Sequence, residues 1–596
     1  MRKMARIASI LITTAIGAFG AAADPVREGP AVVAAPGALG IGERLPDVPF
    51  TDLAGKSGKL SDLADRKAVV ICLTSTTCPV SRKYGPTLAE LEAKYRAKGV
   101  AFLALNVAQS EAVEKMKDQA ADWAKLGWAG RYVADRDQSI GKLLAARSTT
   151  EAFVIDRSRT LVYRGAVDDQ HGLGYSLDAP RRHFLARAID AVLTDDRPEV
   201  AATTAPGCAL SLGTAPQVVT SLTYHNRVAR IMQTSCLECH RAGENAPFEL
   251  ATYADVKDHA AMIKKVVGRK TMPPWFADPT KSHAFTSDRS LSDRDRDDLI
   301  KWVDAGAPQG DKADAPVPRK FADGWRIGTP DAVFKATTQK IPAAGTIRYR
   351  YSVAQTNFTE DKWVTGVEIR ASAPEVVHHV LVFLGTPGTD ARTALRAAGG
   401  GLNGYFAGMV PGQGHIQFAE GTAKRLPKGS TIVFQIHYTT NGKEVTDEPR
   451  IGFKFAAAEP KYELHTKAAA NPMFAIPAGA PNHPVTATYT LRNKSRLISF
   501  NPHSHVRGKA YRYELVYPDG KSEVVLDVPR YDFNWQMEYV LAKPIDVPPG
   551  TRVRVTGWFD NSKDNPANPD PTKIVRFGEQ TWEEMMIGYF TGHVLD

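Results

Sequence analysis

Apolar residues follow three different rhythms along the 596-residue chain, and each rhythm predicts a different kind of body. The first is continuous. Lys67 to Ser75 (KAVVICLTS), Val100 to Val107 and Ala152 to Asp156 are apolar runs of buried-strand length, while Tyr84, Leu88, Leu91 and Tyr95 recur at helical spacing between the first two. Strand alternating with helix predicts an α/β sandwich over residues 40–195. The second rhythm is helical, with Val228 to Met232 and Leu299 to Val303 opening and closing a small all-α body at 217–312. From about residue 330 the period drops to two. Short alternating strands at 347–353, 363–370, 430–438, 485–491 and 552–559 predict two all-β, jelly-roll-like sandwich subdomains, 331–465 and 466–596. Stretches rich in Pro, Ala and Gly or charge, 196–216 and 313–330, read as linkers.

The amino terminus predicts where the chain works. Arg2, Lys3 and Arg6 precede the apolar run Ile7 to Ala18, and Ala21, Ala22 and Ala23 supply small residues before Asp24, the pattern of a secretory signal peptide at 1–23. Thr13, Thr14 and Gly17 interrupt that run, and no other segment reaches the roughly 18 apolar residues a membrane span needs. The expectation is a secreted or periplasmic protein with no transmembrane anchor after cleavage. A net charge of +10, from 75 basic and 65 acidic residues without a basic block, argues against nucleic acid as a partner. The 43% apolar and 23% charged fractions exclude disordered, collagen-like and coiled-coil classes.

Five cysteines, Cys72, Cys78, Cys208, Cys236 and Cys239, exclude a disulfide scaffold and leave the last 350 or so residues without a thiol. Cys78-Pro79-Val80-Ser81 stands where the first apolar strand gives way to a helix. This junction resembles that of the thioredoxin-like redoxin family, whose active-site thiol occupies it. The resemblance implies that Pro79 takes the first helical position and that the helix N-terminus, with Arg82 and Lys83 nearby, favours the Cys78 thiolate. Two positions depart from the family. Ser81 replaces the resolving cysteine, and Thr150 stands where a cis-proline is expected. A dithiol cycle within the motif is therefore impossible, which leaves Cys208 as the candidate redox partner of Cys78, in a compartment that permits a disulfide. Cys72, inside the apolar strand, reads as an inert buried thiol. The alternative is a domain that keeps the fold only as a structural or docking module.

Cys236-Leu237-Glu238-Cys239-His240 is Cys-x-x-Cys-His, the attachment pattern of c-type haem: two thiols for thioether links and an adjacent imidazole for the iron. No second cysteine pair exists to complete a four-thiolate zinc site. The segment looks like a small cytochrome c domain with one covalently bound haem. Met272, in a Pro-rich turn, is the candidate second axial ligand, and His259 and Met262 read as packing or surface residues. A haem with both axial positions filled carries electrons and does not activate oxygen.

The β-rich half carries three histidine clusters: His378-His379, His437 in Gln435-Ile436-His437-Tyr438, and His503-Ser504-His505. On a strand His503 and His505 share a face, whereas His378 and His379 point to opposite faces, so joint ligation by that pair needs a bulge, a twist or different ring nitrogens. His437 alone would read as a satisfied core residue. Together the clusters resemble the copper type II, ascorbate-dependent monooxygenases of the peptidylglycine α-hydroxylating and dopamine β-monooxygenase family, over most of 330–596. The resemblance implies one copper held by His378, His379 and His437, and a second held by His503, His505 and Met585, with Met586 the less suited sulfur. It also implies that oxygen binds at the Met-containing site and that Tyr589 lines the substrate pocket. Asn501 stands where peptide-amidating members carry an arginine and Ile587 where they carry an asparagine, so peptide amidation is not expected.

The combined expectation is a copper monooxygenase that hydroxylates a C–H bond of a small organic substrate with O2, in the cleft between the two sandwiches. Electrons would come from an external donor through the fused haem. A copper and haem electron-transfer or sensing protein without hydroxylase activity, or a thiol–disulfide redox protein, are the alternatives.

Overall fold

The structure is a computed structural model that describes residues 26–213, 221–321, 324–397 and 404–596. The expected signal peptide lies outside these residues. Among the described residues no helix is long and apolar enough to cross a membrane.

The continuous apolar runs form the middle of a five-stranded mixed sheet, ordered Arg131–Ala134, Val100–Asn106, Ala68–Leu73, Ala152–Asp156, Leu161–Gly165. The first three strands run parallel and the last two antiparallel to their neighbours. The central strand is buried at every position because both faces are covered, which is why it reads as an unbroken apolar run. Helices Pro79–Arg96 and Phe184–Leu193 share one of the two cores, and Tyr84, Leu88 and Tyr95 are buried in it as their spacing predicts. The part of the 196–216 stretch that is described does not behave as a free linker. It is tied down by bridges Arg164↔Ala202 and Ser148↔Ala209, which give its backbone groups partners on the edge of the α/β body.

Between residues 224 and 304 the described residues form helices. A continuous helical stretch at 224–236 runs into the Cys-x-x-Cys-His turn, and Tyr253–Asp258, Ala260–Gly268 and Asp293–Asp304 follow, packed around Val228, Met232, Leu299 and Trp302. Residues 275–285 leave this body. Trp275, Phe276 and Phe285 insert into the core of the second β-half, where Trp275 lies 4.9 Å from the Tyr539 ring, and backbone hydrogen bonds join Asp278 to Asp527 and Thr286 to Val540.

The C-terminal part is mainly β-sheet. A sheet ordered Arg350–Gln355, Thr431–Tyr438, Val377–Gly385, Tyr405–Met409 faces a six-stranded sheet built on Lys362–Arg370 and Arg450–Phe455, closing over Val364, Val382, Phe434 and Phe453. A second pair follows. His465–Ala470, Ile587–Val594, Ser495–His503 and Tyr539–Val547 face His483–Thr490, Arg552–Phe559, Gly508–Val516 and Ser522–Val528 over Tyr513, Leu515, Val555 and Phe590. The α/β body docks against both halves. A Cβ at Gly442, where φ is +89°, would collide with the Arg82 carbonyl oxygen, so glycine there permits the close approach of the first half. On the second half the Arg27 guanidinium pairs with Asp532 at 2.8 Å, and Asn534 Nδ2 donates to the Gly174 carbonyl at 3.0 Å.

Trp275→Ala should remove about 3–5 kcal/mol of packing where the helical body enters the second β-half. Trypsin should then cut after Lys281 several times faster than in the parent chain, as followed by mass spectrometry of the fragments.

Candidate functional site

The first group of functional side chains forms where the two β-halves meet. His378 and His379 are adjacent, and the register between their strand and the strand of His437 slips between Val377 and His379, the bulge that joint use of both rings requires. Ring atoms of His378, His379 and His437 lie within 4.8 Å of one another. The strand Ser495–His503 ends at His503, so a turn and not a shared strand face brings His505 alongside, with ring centroids 5.5 Å apart. His379 and His503 centroids are 6.5 Å apart across the interface.

This geometry corrects one expectation. The sequence reading separates two sites by an open cleft, but the halves close on each other and the five imidazoles occupy one buried nest. The ring of Phe533 occupies its middle, 4.4 Å from His378, 5.7 Å from His437 and 5.9 Å from His505.

Burial first, then neighbouring imidazoles for most of the five, pushes all their pKa values down: to about 4 for His378 and His503, to about 3 for His505, and well below the usual value for His379 and His437. All five are neutral at pH 7, so each ring carries one N–H and one lone pair. Hydrogen bonds fix which nitrogen is which. His503 Nδ1 donates to Gln536 Oε1 at 2.5 Å and His505 Nδ1 to the Glu583 carbonyl at 3.2 Å. His378 and His379 face each other through Nδ1 atoms 3.1 Å apart. Four buried ring nitrogens, Nε2 of His378, His379 and His505 and Nδ1 of His437, have no partner on the protein.

The methionines separate by strand alternation. Met586 turns into the core of the second half, while Met585 takes the opposite face with Ile587 and Tyr589. The buried Glu584 carboxylate, which sequence reasoning gave no role, ties this corner: its Oε2 accepts from the backbone N–H of His505 at 2.8 Å and of Met585 at 3.2 Å. Asn501, His503 and Tyr589 line a cavity of only about 20 Å³, room for about one water. A cavity of about 250 Å³ opens on the other side, against the α/β body, and reaches His378 and His437. The expected substrate position therefore has no room for an organic molecule.

A thiol pair is the second group. Cys78 caps the helix Pro79–Arg96, and Cys208 of the docked 201–213 stretch is brought against it by hydrogen bonds from Thr149 N–H to the Cys208 carbonyl and from Cys208 N–H to Thr149 Oγ1. Burial pushes the Cys78 thiol up, but hydrogen bonds from Cys208, Thr149 and the Ser81 and Cys208 backbones outweigh it and bring the pKa to about 7. Cys208, donating to Cys78, is held well above its ordinary value. Cys72 is pushed up to about 12 by burial alone, as suits an inert thiol. Arg82 stays within electrostatic reach of Cys78. Lys83 turns away into the larger cavity, which removes it from the thiolate.

At the Cys-x-x-Cys-His turn, His240 Nδ1 donates to the Phe248 carbonyl at 3.0 Å, leaving Nε2 free. Cys236 and Cys239 are free thiols, and Cys239 faces Gly412 of the first β-half. The His259 ring, read from sequence as packing or surface, stacks on Phe248 at 4.0 Å, and Phe248 is 4.8 Å from His240. Met272 precedes the segment that leaves for the second β-half, and its backbone N–H donates to the Val266 carbonyl.

Residues 41–177 match the Redoxin family model and are a Redoxin, thioredoxin-like domain. Among solved structures, a hypothetical protein of Sinorhizobium meliloti is 26% identical with a TM-score of 0.27 over 30% of this chain and 97% of its own. An uncharacterized conserved protein of Geobacillus kaustophilus is 27% identical with a TM-score of 0.27 over 31% and 97%. A peroxidoxin of Mycobacterium tuberculosis is 15% identical with a TM-score of 0.21 over 27% and 99%. No curated protein matches.

The 240 nm thiolate absorbance lost in Cys78→Ser should appear as pH rises through about 7. In Cys208→Ala, which removes a hydrogen bond to the thiolate, the same transition should move to higher pH.

Proposed function

We propose that this chain is an oxidoreductase with two separate redox centres, the thiol pair of its Redoxin domain and a copper centre at the histidine nest. The thiol–disulfide part has the stronger support, since the residues matched by the Redoxin family, 41–177, include Cys78; none of the matched proteins speaks for copper hydroxylation. In that part the Cys78 thiolate is the nucleophile, Cys208 the resolving thiol, and the Cys208 and Thr149 hydrogen bonds hold the thiolate at neutral pH. Reaction with a disulfide substrate would leave Cys78 joined to one of its sulfurs. Attack by Cys208 would then release the substrate as a dithiol and leave a Cys78–Cys208 disulfide.

The copper part rests on one observation: four buried imidazole nitrogens without a protein partner converge from both β-halves. His378, His379 and His437 would hold one ion and His503, His505 and Met585 another, and imidazole with thioether is a donor set that suits copper in both oxidation states. Bound copper would supply one-electron transfer and O2 chemistry, and a haem attached at Cys236 and Cys239 with His240 on its iron would supply a further one-electron store. The residues around the nest do the rest. Gln536 and the Glu583 carbonyl hold His503 and His505 in the tautomer that keeps Nε2 free, Glu584 locks the His505 and Met585 backbones together, and Phe533 excludes water. On this reading the strands of 331–465 and 466–596 are jelly-roll-like sandwiches, 217–312 is a cytochrome c domain in which His240 and Met272 would hold the haem iron, and the protein is secreted or periplasmic. Hydroxylation of a small organic substrate by O2 is the second reading, favoured by the cavity that reaches His378 and His437.

Copper content by mass spectrometry tests the centre: the parent chain should bind up to two ions, and His378→Ala with His437→Ala should lose one without loss of fold by circular dichroism. A copper-free parent protein after reconstitution would sink the copper part. Met585→Leu should retain the copper of His378, His379 and His437; if it also keeps O2 consumption with substrate, the hydroxylase reading fails. Loss of disulfide reductase turnover in Cys78→Ser tests the thiol part.

A further inference from the structure

The cavity between the Redoxin domain and the nest has two kinds of wall. Part of its lining is aromatic and aliphatic surface, from Phe533, Trp582, Val80 and Ile347. Part is hydrogen-bond donors without acceptors. Lys83 has no hydrogen bond or ion pair among the described residues, and burial lowers its pKa only to about 8, so it is charged at pH 7. Arg27 uses Nε and Nη1 on Asp532, Val506 and Asn565 but leaves Nη2 buried and unpaired. The Tyr175 hydroxyl is buried and unpaired, and burial raises its pKa, so it keeps its proton. Arg27 and Tyr175 are each about nine-tenths or more buried. An unmet buried donor costs about 1–3 kcal/mol and a charged one more, and here two of them, Arg27 Nη2 and the Tyr175 hydroxyl, line one cavity of about 250 Å³ together with the half-buried, unpaired Lys83 ammonium.

We infer that this cavity binds a small organic carboxylate, its oxyanion held by Lys83, Arg27 and Tyr175 and its apolar body laid against Phe533 toward His378 and His437. The site is composite. Lys83 and Tyr175 come from the Redoxin half of the chain and Phe533 from the second β-half, so neither alone makes it. Binding rests on the donors on the page; only the fate of the bound molecule rests on the reading of the nest as a copper centre. An acceptor between a cation and two neutral or paired donors makes charge-assisted hydrogen bonds that a neutral molecule of the same shape cannot.

Isothermal titration of the full chain in low-salt buffer at pH 7, after chelation, would use benzoate and its neutral analogue benzyl alcohol. Benzoate should bind at one site and benzyl alcohol at least about tenfold more weakly. Lys83→Met should weaken benzoate about tenfold or more, and Tyr175→Phe, which removes only one hydroxyl, about three- to tenfold, with benzyl alcohol unmoved in both. Circular dichroism and thermal midpoints would confirm that each variant folds. No benzoate binding, equal affinity for the two probes, or unchanged affinity in both variants would overturn the proposal. Copper stoichiometry on the same preparations separates the two readings: copper bound without benzoate sinks the cavity assignment, and benzoate bound without copper sinks the metal assignment.

Discussion

The contact between the two β-halves encloses groups that cannot satisfy one another. Five neutral imidazoles meet there, and once Gln536, the Glu583 carbonyl and the His378–His379 contact have used their share, four nitrogens are left in a dry interface. At about 1–3 kcal/mol for each unmet polar group, the deficit is comparable with the whole net stability of a domain. Protonation does not relieve it, because burial and mutual repulsion hold the pKa values far below 7. On the proposed reading an electron-pair acceptor shared by both halves would relieve it, which would tie the closed arrangement of the β-rich part to the chemistry proposed for it.

Around that constraint the supporting residues act on orientation and not on charge. The bulge beside Val377 turns two neighbouring rings inward, where a regular strand would bury one and expose the other. Glu584, whose pKa burial raises to about 7, spends its acceptors on the backbones of His505, Arg507 and Met585, so it fixes a turn. Strand alternation does the same for sulfur by sending Met586 to the core and Met585 to the other face.

Much of this is legible in the chain because it is local. Continuous apolar runs announce strands buried on both faces, and period-two runs announce the mainly β-sheet C-terminal part. The His378-His379 pair even carries its own requirement, a bulge, which the fold supplies. What sequence spacing does not carry is distance between bodies. The cleft expected between the β-halves is closed by Phe533, which no motif marks. Arg27 matters only because chain segments hundreds of residues apart meet, and Lys83, read as support for a thiolate, lines the cavity instead. Cys208 was legible as a thiol but not as a docked one; a stretch of Ala, Pro and Gly looks like a linker until its backbone finds partners on Ser148 and Thr149.

The thiol pair and the histidine nest share an element. Cys78 caps the helix Pro79–Arg96 on the side facing Cys208, and Lys83 follows five residues later, about 140° around the axis at 3.6 residues per turn, on the side facing the cavity. One rigid helix therefore presents a thiol to one neighbour and an ammonium to the other, and Gly442 lets its first turn sit close enough to the first β-half to form the wall. Were the Redoxin domain merely tethered, His378 and His437 would open to solvent on that side and the nest would lose the low dielectric that keeps its imidazoles neutral. The domain is thus part of the construction of the histidine site, and its docking, as much as its thiols, is what the geometry asks it to preserve.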